Sequence, residues 1–183
     1  SLSAFKPFVS KTGKKSPVFC NYALIRDHAD ASAFVVDALY GRLRGLHIHA
    51  DVLATSDVSD SGCAQAVAKR MDLPLVTVHK DKSKNSYDAH KGRQVVMLED
   101  LLFTGASTVT SVNALREAGL YVTDVVAILS YALLPLHERA MEEGFMVHPL
   151  TTIPDVHDAA VAQDRITAAE SAEILKFLKD PEH

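Results

Sequence analysis

Short continuous apolar runs recur along the chain, separated by stretches whose apolar positions return every three or four residues. The helical spacing is clearest over 30–43, where Phe34, Val35, Ala38 and Leu39 gather on one side and Gly45 supplies a stop. The same spacing predicts helices in CAQAVAKRM, over 107–118 with Gly119 closing it, in LHERAMEEG, and in TAAESAEILKFLKD. In the last of these Thr167 and Glu170 stand at the separation of a capping box. The runs HADVLAT, LVTVHK, 94–98, TDVVAILSYAL and FMVHPLTT predict strands, and 17–25 reads as extended. DKSKNSYDAHKG, residues 81–92, is polar and has no apolar period, so it predicts a loop.

Strands that are apolar throughout and alternate with helices argue for an α/β fold, a central, mostly parallel sheet flanked by helices. In such sheets ligands collect at the carboxyl ends of the strands, where the strand order reverses. With 183 residues, no internal repeat and no low-complexity linker, a single domain over 1–183 is expected.

Composition narrows the choice of partners. The net charge of −4, with no long basic run, leaves no electrostatic footprint for nucleic acid. No apolar stretch approaches the roughly 20 residues that span a bilayer, and no signal peptide opens the chain, so a cytoplasmic protein is expected. Cys20 and Cys63 lie far apart and suggest free thiols rather than a disulfide or zinc site. His47 and His49 share one side of an extended segment but have no third partner in sight, which favours a surface pair over a metal site.

The chemistry concentrates in VVMLEDLLFTGASTVTSVNALREAG, residues 95–119. An apolar strand runs into Glu99 and Asp100, two acids able to accept hydrogen bonds from vicinal sugar hydroxyls or to approach a magnesium ion. Thr104, Gly105, Ala106 and Ser107 then turn into a helix, offering backbone amides and the hydroxyls of Thr104, Ser107 and Thr108 to an anion. Acids at strand ends and hydroxyl caps on helices are each commonplace structural features. Their succession after a buried strand is what points to a ligand carrying both hydroxyls and a phosphate. Neither a P-loop nor a GxGxxG is present.

LEDLLFTGAST resembles the phosphoribosyl-diphosphate (PRPP) motif of the type I phosphoribosyltransferases, and the chain is most similar to their orotate branch. FVSKTGKKSPVFCN, LPLVTVHKDKSK, ALREAG and ILKFLKDP carry the likeness along nearly the whole chain. The resemblance implies the type I phosphoribosyltransferase fold with a small N-terminal hood, and Mg²⁺-dependent transfer of phosphoribosyl from PRPP to a base. It implies that Glu99 and Asp100 hold the ribose hydroxyls, and that Thr104, Gly105, Ala106, Ser107 and Thr108 cradle the 5′-phosphate. Lys80 would touch diphosphate, and Lys84 would act from the catalytic loop at 81–92. Phe19, Cys20 and Phe103 would border the base, and Lys11 would lie near the base or the diphosphate. Mg²⁺ would come with PRPP, no dedicated metal-ligand set being evident, and the enzyme would be a homodimer.

Several positions depart from the family pattern. Phe103 stands where a threonine facing the base is usual, Ala106 replaces a glycine, and Tyr131-Ala132-Leu133 replaces a stretch with an arginine for the orotate carboxylate. His79, Ser83 and Asn85 replace an arginine, a lysine and a histidine of the loop, although Lys82, Lys84 and His90 lie nearby. The diphosphate turn SDVSDSG has Ser61 before Gly62, and adds Asp57 and Asp60, which repel an anion unless a cation intervenes. Orotate transfer is the expectation from the resemblance. The alternatives are a transferase for another base and a non-catalytic PRPP- or nucleotide-binding regulator.

Overall fold

The computed structural model describes residues 8–9, 15–56, 61–81 and 85–181. Its centre is a sheet of five parallel strands: β3 (Val52–Ser56), β4 (Leu75–Val78), β5 (Gln94–Leu102), β6 (Tyr121–Ser130) and β7 (Met146–Thr152). The spatial order is β4-β3-β5-β6-β7, so the direction of winding reverses between β3 and β5. That reversal opens a crevice above the carboxyl ends of these two strands.

Burial on both faces explains the apolar strands. One face packs Val95 and Met97 against Val112 and Leu115 of α4 (Ala106–Glu117) and Leu136 of α5 (Leu134–Glu142). The other packs Leu53, Val96 and Leu98 against Val35 and Leu39 of α2 (Ala29–Gly45) and Val67 of α3 (Ser61–Met71). A third cluster joins Leu129, Tyr131 and Leu133 to Ile153 of α6 (Ile153–Ala162) and to Ile174 and Phe177 of α7 (Ala168–Lys179). The hood includes a pair of short antiparallel strands, β1 (Phe8–Val9) and β2 (Lys15–Ser16). Tyr131 fastens it to the sheet: its hydroxyl donates to the Val18 carbonyl at 3.1 Å.

Three local expectations are corrected. The strand expected over 94–98 continues to Leu102, because β6 pairs with it through Glu99↔Ala127 and on to Leu102↔Ser130. The acids are therefore part of the ladder. Residues 17–25 are not extended throughout: α1 (Tyr22–Arg26) is a single helical turn or so, with Tyr22 and Ile25 packed on the α2 face. Helix α6 was not foreseen, since it follows β7 without an intervening loop. Its start signals are a Thr152–Asp155 capping box and a proline in the first turn.

One side chain staples the far end of α4. The Arg116 guanidinium donates to the carbonyls of Val122, Glu143 and Gly144, joining α4, β6 and the end of α5. Helix α7 begins with the expected box: the Glu170 amide donates to Thr167 Oγ1 at 3.2 Å, and the Thr167 amide donates to Glu170 Oε2 at 2.8 Å.

These bonds from the Thr167 backbone and hydroxyl lower the Glu170 pKa. A carboxylate depressed in the folded state stabilises fully above its unfolded pKa, and that contribution disappears as pH falls through the folded value. Loss of the N-cap hydroxyl in Thr167→Ala should lower the unfolding free energy by about 1 kcal/mol at neutral pH. In urea titrations the difference should shrink once Glu170 is protonated.

Candidate active site at the carboxyl end of the sheet

The strand reversal brings Ser56, the last residue of β3, beside Glu99 of β5. Ser56 Oγ donates to Glu99 Oε2 at 3.2 Å, and Glu99 is only 7% exposed. Asp100 follows at intermediate burial. Its charge reaches Cys20, whose thiol pKa is raised first by burial and then by Asp100. The two carboxylates thus sit at the mouth of the crevice, one held from β3 and the other facing the N-terminal segment.

Beyond β5 the chain turns at Thr104 and Gly105 into α4. Gly105 adopts φ +79°, and a Cβ there would lie 2.8 Å from Leu136 Cδ1. Both facts demand glycine: the left-handed conformation strains other residues, and α5 fills the space. Ala106, by contrast, opens a regular helix outside the positive-φ region, so a methyl is tolerated where the family pattern has glycine. Ser107 is exposed, whereas Thr108 is 2% exposed and enters the packed interior. The amides of the first turn of α4 lack intrahelical acceptors, which makes this end a donor surface for an anion.

The base-side candidates divide. Phe103 contacts the Tyr131 ring edge-on at 4.9 Å and stacks with Phe177 at 6.3 Å, so the C-terminal helix backs this wall. Phe19 is 56% exposed and lies 5.4 Å from Phe8 in the hood. Cys20 is half-buried between these groups. Ala132, at the position expected for the carboxylate-binding arginine, takes φ +54° just past β6. Lys80 is exposed immediately after β4. Lys11, Lys82, Ser83, Lys84, Asp57 and Asp60 lie outside the described residues.

Sequence reasoning missed Ser56 and did not foresee the contacts of Asn85 and Arg139, the latter considered only as a substitute for the missing carboxylate-binding arginine. Ser56 was invisible because its role depends on which strand neighbours β5. Asn85 was read only as a substitution, yet its side chain accepts from the His79 amide at 2.8 Å and donates to the His79 carbonyl at 3.2 Å, clasping the two sides of the loop. Arg139 donates through Nη1 to the Thr104 carbonyl at 2.5 Å, from a helix that follows the next strand.

The orotate phosphoribosyltransferase of Coxiella burnetii is 28% identical to this chain, over 100% of the chain and 90% of that protein. A solved structure of Leishmania donovani UMP synthase superposes with a TM-score of 0.80 at 23% identity, over 95% of this chain and 38% of that one. Orotate phosphoribosyltransferase from Aeropyrum pernix superposes with a TM-score of 0.70 at 17% identity, over 84% of this chain and 89% of that one. The chain is a homologue of the orotate phosphoribosyltransferases and has the type I phosphoribosyltransferase fold. No protein-family model matches it. In this phosphoribosyltransferase fold the candidate crevice coincides with the strand reversal between β3 and β5.

Gly105→Ala should destabilise the protein by about 1–3 kcal/mol from backbone strain alone, with the Leu136 clash adding to it. Gly105→Ala combined with Leu136→Ala removes the clash but not the strain. Chemical denaturation should therefore show a coupling between the two sites, and strict additivity would refute the packing account.

Proposed function

We propose that the protein transfers the 5-phosphoribosyl group of PRPP to a ring nitrogen of orotate, giving orotidine 5′-monophosphate and diphosphate. The observation that carries this reading is the Glu99–Asp100 pair on β5, leading directly into the Gly105 turn and α4 at the strand reversal. Full-length similarity to orotate phosphoribosyltransferases supports the same acceptor.

In this reaction the bond from ribose C1′ to the diphosphate oxygen breaks as the base nitrogen bonds to C1′, and the proton of that ring N–H is released. Positive charge develops on the ribose, and diphosphate leaves with the bonding electrons. Glu99 and Asp100 accept hydrogen bonds from the 2′- and 3′-hydroxyls, fixing the ring and placing negative charge beside it. Ser56 holds Glu99 in the orientation this requires. The amides of 105–108 and the Ser107 hydroxyl bind the 5′-phosphate. Rate acceleration comes from positioning and electrostatics, without a covalent intermediate. Lys80 and Lys84 neutralise the departing diphosphate, and closure of the 81–92 loop excludes the water that would capture the ribose cation.

Bound with PRPP, Mg²⁺ would neutralise diphosphate charge. Among the described residues no group of three or more His, Cys, Asp or Glu forms a metal cage. Glu99 and Asp100 are the carboxylates that would approach an ion retaining substrate oxygens and waters. A cytoplasmic homodimer is the assembly we infer, from the family resemblance.

One observation favours a second acceptor. With Phe103 in an aromatic cluster and only a methyl group at Ala132, a flat uncharged base meets a complementary wall. The deciding assay is diphosphate release from PRPP and Mg²⁺ with orotate and then with a panel of bases. Turnover with orotate supports the primary reading, and turnover only with another base supports a retargeted transferase. PRPP binding without turnover on any base identifies a regulator.

Glu99→Gln with Asp100→Asn should weaken PRPP binding by roughly 10- to 100-fold, the scale of two charge-assisted hydrogen bonds, without unfolding the protein. Unchanged affinity by calorimetry would sink the ribose assignment. Lys80→Ala should lower turnover by about tenfold or more if it balances the leaving diphosphate, a loss of about 1.4 kcal/mol of transition-state stabilisation.

A further inference from the structure

The family likeness says nothing of α5, yet this helix meets the phosphate turn twice. Leu136, fully buried, occupies the space that a side chain at 105 would need. One turn further along, Arg139 donates Nη1 to the Thr104 carbonyl at 2.5 Å. We propose that Arg139 is a positioning residue for the 5′-phosphate: it fixes the peptide between Thr104 and Gly105 so that the Gly105 amide faces the ligand. This inference rests on reading the turn at 104–108 as the phosphate cradle.

The argument is one of peptide geometry. The 104–105 bond is trans, so the Thr104 carbonyl and the Gly105 N–H point in opposite directions. Drawing the carbonyl towards α5 turns the amide to the opposite side of the peptide, away from α5. Glycine makes the alternative accessible, because Gly105 lacks the Cβ that would otherwise restrict rotation of this peptide. At φ +79° the turn sits in one of several backbone states open to glycine. The Gly105 carbonyl is independently held, accepting from the Val109 amide at 2.9 Å. The peptide preceding Gly105 is held from its other side by a side chain, Arg139, through the Thr104 carbonyl.

The choice of arginine follows from the same geometry. A guanidinium holds its charge at any physiological pH and directs planar N–H groups at a carbonyl. It also places a cation behind the turn. The anion in front meets amides directly and feels the guanidinium charge through the peptide dipole that the guanidinium aligns. Lysine supplies the charge but not the fixed fork; glutamine can donate to the carbonyl without the charge.

The test uses ribose 5-phosphate as the probe of the cradle, measured by calorimetry and by the amide resonance of Gly105. The unaltered protein should bind it, with a marked shift of that resonance. In R139A the affinity should fall about tenfold, R139K should recover part of the loss, and the Gly105 resonance should respond less. With PRPP, KM should rise far more than kcat falls. Equal ribose 5-phosphate affinity and an equal Gly105 response in R139A and the unaltered protein would overturn the inference alone. Equal losses in kcat and KM terms accompanied by lower thermal stability would also overturn it, leaving Arg139 a structural tie. Failure of the unaltered protein to bind ribose 5-phosphate would remove the cradle reading and this inference with it.

Discussion

The parallel pairing of β3 with β5 is the constraint on which the site depends. Register places Thr55 opposite Leu98, so the next residues, Ser56 and Glu99, meet as the two strands leave their shared ladder. A carboxylate this buried needs a donor, because desolvating an unpaired charge is costly. Ser56 supplies one. A shift of one residue would turn Glu99 to the opposite face of β5 and leave an acid among the apolar side chains of the core. Register, burial and ligand geometry are thus a single requirement.

From that point the site extends in two directions with different materials. On the side proposed for phosphate it is backbone: a glycine turn, the amides of a helix start, and an arginine that donates to the Thr104 carbonyl. Towards the base it is aromatic packing, in which Phe103, Tyr131 and Phe177 meet above the end of the sheet. Tyr131 belongs to both the wall and the hood, since its hydroxyl reaches the Val18 carbonyl. A change in this aromatic wall is therefore coupled to how the N-terminal segment sits.

Much of this was legible in the sequence because local signals agreed. Fully apolar strands announced a sheet buried on both faces, and Thr167 with Glu170 announced the start of α7. The Glu99–Asp100 pair and the Gly105 turn suggested a sugar-phosphate site from sequence because every participant lies within one strand–turn–helix segment, and the structure keeps that segment intact. What escaped reading was non-local. Ser56 is one more serine after an apolar strand until the order of strands puts it beside Glu99. Arg139 lies one turn beyond the buried Leu136 on α5 and has no motif; only the return of α5 against α4 reveals its carbonyl partner. The extension of β5 past its acids was hidden for a related reason. Charged residues usually end a strand's apolar run, and here pairing with β6 carries the ladder through them.

Helix α4 is tied by an arginine near each end, Arg139 at the turn before it and Arg116 at its last turn. Each donates to carbonyls that belong to other elements or to the turn, so neither end has the customary freedom to fray. A helix held in this way exchanges its amide protons mainly through openings that involve β6 and α5 as well. Deuterium uptake along α4 would then track the global stability of the sheet, and ligand binding at one end would slow exchange along its whole length.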